Sequence, residues 1–425
     1  MSQIQELKER SFLVYGLGSS GVSVVNFFTK NKIKNFKVWD DNKKNLFKKK
    51  RPKNLSQTLD QVDYIVLSPG INLIKNKKLI RFRNKIITDI DLFYLTNKKS
   101  KTIVVTGTNG KSTTCKLIAH LLRKNKFKFS LGGNIGKPIL NIQKSKNRYV
   151  IIEASSFQLS HSKFICPSYA FFLNLTNDHL DWHGNMKNYL NSKLRIFHLQ
   201  TKDNFAIINK KFRKIFINKK FLSKLIVPQN KDYLKIKSKI NNRYLSSDIN
   251  NENMSFVYTF AKLLKIKDNS FIKSINTFKG LPHRFEIFLK KGGIKFINDS
   301  KATSFKAAQS AISSNINTYW ILGGLPKKRD KIKIKKFKKN IIKCYLIGNN
   351  INFFKNQIKN KINFSVTKNL NNSIIQILKD IKKEKNNKKT ILLSPAAASF
   401  DQFKNFEKRG EEFKRLCRKH VRKFI

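Results

Sequence analysis

The sequence predicts an α/β protein of three domains: an N-terminal Rossmann-like domain, a central P-loop-type parallel-sheet ATPase domain, and a C-terminal Rossmann-like domain. Three observations carry that expectation. Apolar, β-branched runs recur along the chain and alternate with stretches of helical periodicity, as in parallel sheets covered by helices. Many of those runs end in glycine-rich or Ser-Pro turns, where such sheets hold their ligand crevices. One turn, Thr106-Gly-Thr-Asn-Gly-Lys-Ser-Thr113, has the order of a phosphate-binding loop. The expected domains are residues 1–93, 94–279 and 280–425.

In the first domain, residues 11–15 read as a strand, Gly16-Leu-Gly-Ser-Ser-Gly21 as a tight turn and residues 22–28 as an apolar helix. A second strand ends in Asp40, roughly 20 residues past the glycines, the spacing of a dinucleotide site. The glycine pattern alone does not specify NAD, because other diphosphate binders share it. A third strand runs into Ser68-Pro-Gly70.

The central domain opens on the phosphate loop. Gly107 and Gly110 let backbone N–H groups close around phosphate oxygens, and the following helix adds its positive end. Lys111 reaches terminal phosphates, and Ser112 offers a hydroxyl to Mg²⁺. Val105 stands where the standard loop has its first glycine, so the loop is a shortened variant. An ordinary glycine-rich turn is the plain alternative, but the flanking strand and helix and the Gly-Lys-Ser-Thr order favour a nucleoside triphosphate site. Gly107, Thr108, Asn109, Gly110, Lys111, Ser112 and Thr113 are its expected contacts.

Two further strands place Glu153 and His179 just past their ends, beside the loop. A carboxylate, an imidazole and a phosphate loop at one sheet edge suit Mg²⁺ or Mn²⁺ next to a triphosphate. A lone glutamate or histidine is more often structural; the shared position after strand ends singles these two out. Residues 210–245 read as peripheral strands and loops. Asn250 and Asn253 open a helix over residues 254–264, with capping as the plain alternative to nucleotide contact. The third domain shows strands ending near residues 298, 323, 347 and 394 and a last helix over 403–421, all expected to build a parallel sheet.

Composition narrows the class. Lys and Arg number 89 against 25 Asp and Glu, a net charge of +64 that usually suggests nucleic acid. The lysines are spread from end to end among asparagine and isoleucine, and no helix-turn-helix, zinc-finger or aromatic RNA-binding signature accompanies them. No specific nucleic-acid partner is expected. The polar first ten residues, the lack of a bilayer-length apolar run and the unpaired spacing of Cys115, Cys166, Cys344 and Cys417 predict a cytoplasmic enzyme without a transmembrane segment. It is expected to act as a monomer on small molecules.

Taken together the motifs resemble the Mur ligase family of ATP-dependent amide-bond-forming enzymes of peptidoglycan synthesis, over essentially the whole chain. The matching runs begin with the phosphate loop, Gly132-Gly-Asn-Ile-Gly136, Glu153-Ala-Ser-Ser-Phe-Gln-Leu159 and Asn174-Leu-Thr-Asn-Asp-His-Leu-Asp181. Lys193-Leu-Arg-Ile196, Asn250-Asn-Glu-Asn253, Leu281-Pro-His-Arg-Phe-Glu286 and Asp299-Ser-Lys-Ala-Thr303 follow. The run Ser394-Pro-Ala-Ala-Ala-Ser-Phe-Asp-Gln-Phe-Lys-Asn-Phe-Glu-Lys-Arg-Gly410 looks like the D-glutamate-adding branch.

The resemblance implies a ligase that joins D-glutamate to UDP-N-acetylmuramoyl-L-alanine through an acyl phosphate, releasing ADP and phosphate. The alternative is a family member with another amino-acid acceptor. It implies catalytic roles for Lys111, His179 and Lys193, the last as a carbamate, and Mg²⁺ ligation by Ser112, Glu153, His179 and Lys193. It places Asn250, Asn253, Arg284 and Asp299 around ATP, and Asn134, Ser155 and Gln158 at the muramyl substrate. Ser19, Ser20, Asp40, Ser68 and Gly70 would hold the UDP moiety, which accounts for a Rossmann-like turn without NAD. Lys301, Thr303, Lys327, Ser399 and Phe406 would surround D-glutamate. Two positions depart from the family pattern. Ile249 replaces a histidine, and Leu325-Pro-Lys-Lys-Arg-Asp330 replaces acidic and small residues, leaving Lys327 and Lys328 as alternatives for one substrate carboxylate.

Overall fold

The chain separates into two units, Met1–Phe278 and Lys279–Ile425. The structure, a computed structural model, describes residues 3–97, 100–142, 148–242, 244–245, 248–327, 330–332, 334, 337–383 and 388–424.

The first unit holds two parallel sheets. Phe12–Tyr15 (β1), Phe36–Trp39 (β2), Tyr64–Leu67 (β3) and Ile86–Ile87 (β4) form the first, in the order β2-β1-β3-β4. β1 is buried along its whole length, as a parallel strand covered on both faces must be. The chain leaves it through Gly16 and enters the helix Ser19–Lys30. Gly21 lies so close beneath this turn that a Cβ there would stand 1.9 Å from the Gly16 carbonyl oxygen. Only glycine fits.

Lys101–Thr106 (β5), Phe129–Gly133 (β6), Tyr149–Glu153 (β7), Tyr169–Phe172 (β8), Phe205–Ile208 (β9) and Lys224–Ile226 (β10) build the second sheet. Its order is β10-β9-β8-β5-β7-β6, parallel throughout. The chain crosses from one side of β5 to the other between β7 and β8, so the carboxyl ends of these three strands form a topological switch point. One face of the sheet packs Ile103, Val105 and Phe171 against the helix Lys111–Lys124 and against Phe256, Val257 and Phe260 of the helix Asp248–Leu263. On the other face, Val104, Ile152 and Phe172 share one apolar cluster with Phe28 and Ile90 from the first sheet's helices. That shared core is why both sheets fall in one unit.

The expectation of strands and loops over residues 210–245 is corrected. Apart from β10, its regular elements are helical, among them Arg213–Asn218 before that strand and Asn230–Lys237 after it. Each short helix buries only one or two residues, Phe216 in the first and Tyr233 and Ile236 in the second, while its lysines point outward.

The second unit carries Glu286–Lys291 (β11), Ile294–Asn298 (β12), Thr318–Gly323 (β13), Ile341–Ile347 (β14), Phe364–Lys368 (β15) and Lys389–Leu393 (β16). Their order is β11-β12-β16-β13-β14-β15. An all-parallel sheet was expected, but β11 runs antiparallel to β12. Gly292 and Gly293 both take positive φ, the demand of a two-residue hairpin turn, and they fold β11 back as an edge strand. The final helix, Phe406–Phe424, lays Phe413, Leu416, Cys417 and Val421 on the sheet.

Candidate active site

The site of the first unit is built on the end of β5. Thr106 Oγ1 donates to the Ala154 carbonyl at 2.9 Å, tying β5 to the segment after β7. Beyond it Gly107 (φ +153°) and Gly110 (φ +83°) take backbone conformations that side chains disfavour. A Cβ on Gly110 would stand 2.2 Å from Asn253 Oδ1. Gly110→Ala should therefore push Asn253 and the loop apart. We expect a fall in kcat/KM of about 10²-fold, the scale of misplaced active-site geometry, and a loss of stability of about 1–3 kcal/mol from the left-handed backbone; steady-state phosphate release checks the first and thermal unfolding the second.

The loop is held from two sides. Thr108 N donates to the Asn174 carbonyl at 3.0 Å, and Asn109 N donates to Asn174 Oδ1 at 2.9 Å. Thr108 Oγ1 lies 3.1 Å from Tyr189 OH and accepts from Thr176 N at 3.0 Å. Lys111 folds back over the turn, its Nζ donating to the carbonyls of Gly107 at 2.8 Å and Thr108 at 2.9 Å.

A second lysine meets the same point. Lys193 Nζ, on the helix Met186–Leu194, donates to the Gly107 carbonyl at 2.9 Å. Lys193 is only 1% exposed. Burial, and then the neighbouring charge of Lys111, hold its pKa well below the usual lysine range, with Asp178 opposing.

Strand pairing sets Glu153, the last residue of β7, beside Val105 just before the loop. Glu153 is 2% exposed. Asn134 Nδ2 donates to its Oε1 at 3.0 Å, while its Oε2 is buried without a hydrogen-bond partner in the structure. A buried carboxylate oxygen left alone is costly, and a cation would relieve it. Among the described residues no three His, Cys, Asp or Glu side chains cluster as a metal cage. Mg²⁺ commonly takes one or two carboxylates together with phosphate oxygens rather than an all-protein cage. The lone oxygen fits a cation shared with a nucleotide. His179, at φ +54°, starts the short helix Leu180–His183, its ring edge-on to Phe157 at 4.8 Å and its Nε2 3.5 Å from Asp178 Oδ2.

Comparison with known proteins places this geometry. Residues 105–275 match the model of the Mur ligase middle domain, and residues 10–87 that of the Mur ligase MurD-like N-terminal domain. A UDP-N-acetylmuramoylalanine--D-glutamate ligase of Rickettsia prowazekii is 37% identical over 442 residues, covering 97% of this chain and 99% of its own. The chain belongs to the Mur ligase family. A ligase of the same name from Hydrogenobaculum is 33% identical over 96% of this chain and 99% of its own. Among solved structures, MurF ligase from Thermotoga maritima in complex with ADP aligns at a TM-score of 0.58 and 16% identity, covering 99% of this chain and 97% of its own. UDP-N-acetylmuramate-alanine ligase from the same organism aligns at 0.55, with 16% identity, 97% of this chain and all (100%) of its own. Those two likenesses are of fold, and they match the three-sheet α/β architecture.

Other residues named from the sequence take varied places in this Mur ligase. Both oxygens of Asp40 are engaged by backbone: Oδ2 accepts from Leu17 N at 2.6 Å, and Oδ1 from Asn42 N at 2.9 Å and Lys43 N at 2.8 Å. This carboxylate fastens the glycine turn. Ser68 Oγ donates to the Gly16 carbonyl at 2.6 Å, and Ser20 bonds Asp89, whose carboxyl burial pushes up to about 6. Ser19 and Gly70 are exposed. Ser155 and Gln158 form a capping box on the helix Ser156–Leu159, each side chain answering the other's backbone N–H. Asn250 lies inside its helix and donates to the Tyr244 carbonyl at 2.9 Å, whereas Asn253 approaches the phosphate loop at Gly110. The side chain of Ile249 lies outside the described residues.

Within the second unit, Lys301 Nζ stands 4.0 Å over the Phe406 ring, a cation–π contact that brings two of the D-glutamate candidates together. Arg409, 1% exposed, donates to Ser300 Oγ at 3.0 Å, Ser300 O at 2.8 Å and Ala397 O at 2.9 Å. It clamps the Lys301 segment to the turn that leads to Ser399. Thr303 and Arg284 are partly exposed and Lys327 is exposed; Lys328 lies outside the described residues.

Asp299 is buried, accepting from Ser394 Oγ at 2.7 Å and Phe285 N at 3.1 Å. Burial pushes its pKa up from 3.8 to about 7, against those two hydrogen bonds and the charge of Arg284. The folded state thus keeps a proton that the unfolded chain releases near pH 4. Stability should fall as pH rises from about 4 to about 7 and level off above that. Asp299→Asn should flatten the curve in that window; denaturant titrations at several pH values read it directly.

Asn174 and Tyr189 hold the phosphate loop of the first unit, and Arg409 the Lys301 segment of the second, without having been singled out from the sequence. Asn174 has a local signal, a polar residue ending a buried strand run. Tyr189 and Arg409 have none, because their partners are distant in the chain.

Proposed function

We propose that this Mur ligase adds D-glutamate to UDP-N-acetylmuramoyl-L-alanine at the expense of ATP, in cytoplasmic synthesis of peptidoglycan precursors. The ligases named for that reaction align along nearly the whole chain, and the run from Ser394 to Gly410 resembles the D-glutamate-adding branch. The observation that supports the chemistry most is the convergence of Lys111 and Lys193 on the Gly107 carbonyl, in a loop bordered by Glu153.

The substrate's L-alanyl carboxylate attacks the γ-phosphorus of ATP, and ADP departs. Lys111 neutralises charge building on the transferring phosphoryl group, and the N–H groups of the loop and helix start hold its oxygens. The amine of D-glutamate then attacks the acyl-phosphate carbon. The tetrahedral intermediate collapses by expelling phosphate, and the amine loses its proton. Asn134 orients Glu153, and Tyr189 and Asn174 keep the loop in shape for the transfer.

Ser112, Glu153, His179 and Lys193 are the residues that would hold Mg²⁺. When bound, it screens the phosphate oxygens from the incoming carboxylate. The Lys193 amine, whose protonated form burial and the charge of Lys111 disfavour, attacks CO₂ and loses a proton, becoming a carbamate with the charge and shape of a carboxylate. Asn250, Asn253, Arg284 and Asp299 are assigned to ATP, and Lys301, Thr303, Lys327, Ser399 and Phe406 to D-glutamate. Residues 1–93, 94–279 and 280–425 are assigned as the domains for UDP, ATP and the incoming amino acid. The enzyme works as a monomer on small molecules, without a specific nucleic-acid partner. Among the described residues no helix is long and apolar enough to cross a membrane.

Oxygen transfer tests the mechanism. With ¹⁸O in the L-alanyl carboxylate, the released phosphate should carry one ¹⁸O; unlabelled phosphate would exclude the acyl phosphate.

A further inference from the structure

A cavity of about 670 Å³ lies wholly within the first unit, between the segment that follows β3 and the helix Met186–Leu194. None of the residues that line it is assigned above to ATP, to the muramyl substrate or to metal. Its wall carries Arg83, Arg195 and Lys219 and no carboxylate. Arg195 spends one nitrogen on the Ser162 carbonyl at 2.8 Å. The neighbouring carboxylate, Asp91, is already occupied by the N–H groups of Thr88, Lys163 and Phe164.

Gathering cations in a partly desolvated hollow is unfavourable unless an anion enters with them. Two guanidinium forks and an ammonium suit a dianion with several acceptor oxygens. The remaining wall suits something flat. Trp182 lies 6.1 Å from the His161 ring, and its carbonyl accepts from Asn72 Nδ2 at 3.1 Å across the cavity. Ile74 and Ile80 are 61% and 46% exposed. His161 Nε2 is buried with no hydrogen-bond partner, and burial with the charges of Arg195 and Arg83 pushes the ring's pKa down to about 4. It is a neutral polar group without a mate.

We propose that this cavity is a binding site for a phosphate ester of a planar ring, its phosphate on Arg83, Arg195 and Lys219 and its ring against Trp182. The site is separate from the one that performs the ligation.

Titration calorimetry with 2-naphthyl phosphate tests this, using the full chain alone and the chain saturated with UDP-N-acetylmuramoyl-L-alanine and a non-hydrolysable ATP analogue. One site should bind the probe in both states. Arg83→Glu and Lys219→Glu, both surface substitutions, should each weaken it about tenfold or more, the scale of a lost charge-assisted contact. Trp182→Ala should weaken it as well, and 2-naphthol should not bind. Lys339→Glu, an equal charge change elsewhere, should leave binding unaltered. Displacement by the muramyl nucleotide would make the cavity part of the substrate site and overturn the proposal. Equal weakening by Lys339→Glu would reduce the effect to general charge, and equally tight 2-naphthoate would remove the assignment to phosphate. No binding to a folded chain would end it.

Discussion

Lys111→Ala is expected to lower kcat by about 10³-fold or more, the scale of losing a cationic group that stabilises phosphoryl transfer, while leaving the melting curve almost unchanged. The ammonium sits on the carbonyls of Gly107 and Thr108, a position it can leave for a phosphate without disturbing the core. Its removal costs the fold little, since the loop stays anchored by Asn174 and Tyr189. Lys111→Arg should not restore turnover: the guanidinium fork is too broad for a turn of only two residues between Gly107 and Gly110. Single-turnover phosphate release and thermal unfolding of both variants separate chemistry from folding. Cooperative unfolding lost together with activity would make Lys111 a structural residue.

Lys193→Met is expected to remove most turnover, about 10²-fold or more by analogy with other lost metal-site partners, and yet to hold or raise stability. The reason is the buried amine. Its depressed pKa means that the folded chain binds fewer protons than the unfolded chain between that depressed value and about 10.5. Across that window the wild-type chain gains stability as pH rises, and methionine should abolish the slope. On the proposed reading, the unprotonated amine is the form that takes up CO₂. Labelled bicarbonate should give a carbonyl ¹³C resonance that is missing from Lys193→Met and that fades as acid protonates the amine. Lys193→Ala should regain part of its activity with formate or acetate, which supply the lost carboxylate-like group. A variant rescued by neither, with no labelled resonance in the wild type, would leave Lys193 as a plain structural cation.

Much of this fold is legible in the sequence because parallel strands buried on both faces must be apolar throughout. Residues 12–15, 103–105 and 150–152 are such runs, and each lies in a buried strand. The phosphate loop is legible for a different reason: strand, glycine turn, lysine and helix follow each other within a few residues. Where burial is partial the pattern fades. β11 alternates weakly and ends in two lysines, so only its Gly292-Gly293 turn announces the antiparallel edge. The helices after Lys210 bury one or two residues each, and their lysines dilute the helical period.

The site divides along the same line. Glu153 and Lys111 are readable because Glu153 ends a strand and Lys111 opens a helix just after a strand and a short glycine turn. Asp40 shows the limit: its spacing suits a ribose contact, yet its oxygens hold Leu17, Asn42 and Lys43. Ser155 and Gln158 likewise spend their polar atoms on each other and on the helix they cap. Tyr189 to Thr108 and Arg409 to Ser300 span long stretches of chain, and no local period encodes them.

The central claim is the acceptor. Phosphate release with UDP-N-acetylmuramoyl-L-alanine, Mg²⁺ and ATP should depend on D-glutamate and stay at background with L-glutamate, L-alanine or meso-diaminopimelate. Release that follows one of the other amino acids, or none of them, would contradict it.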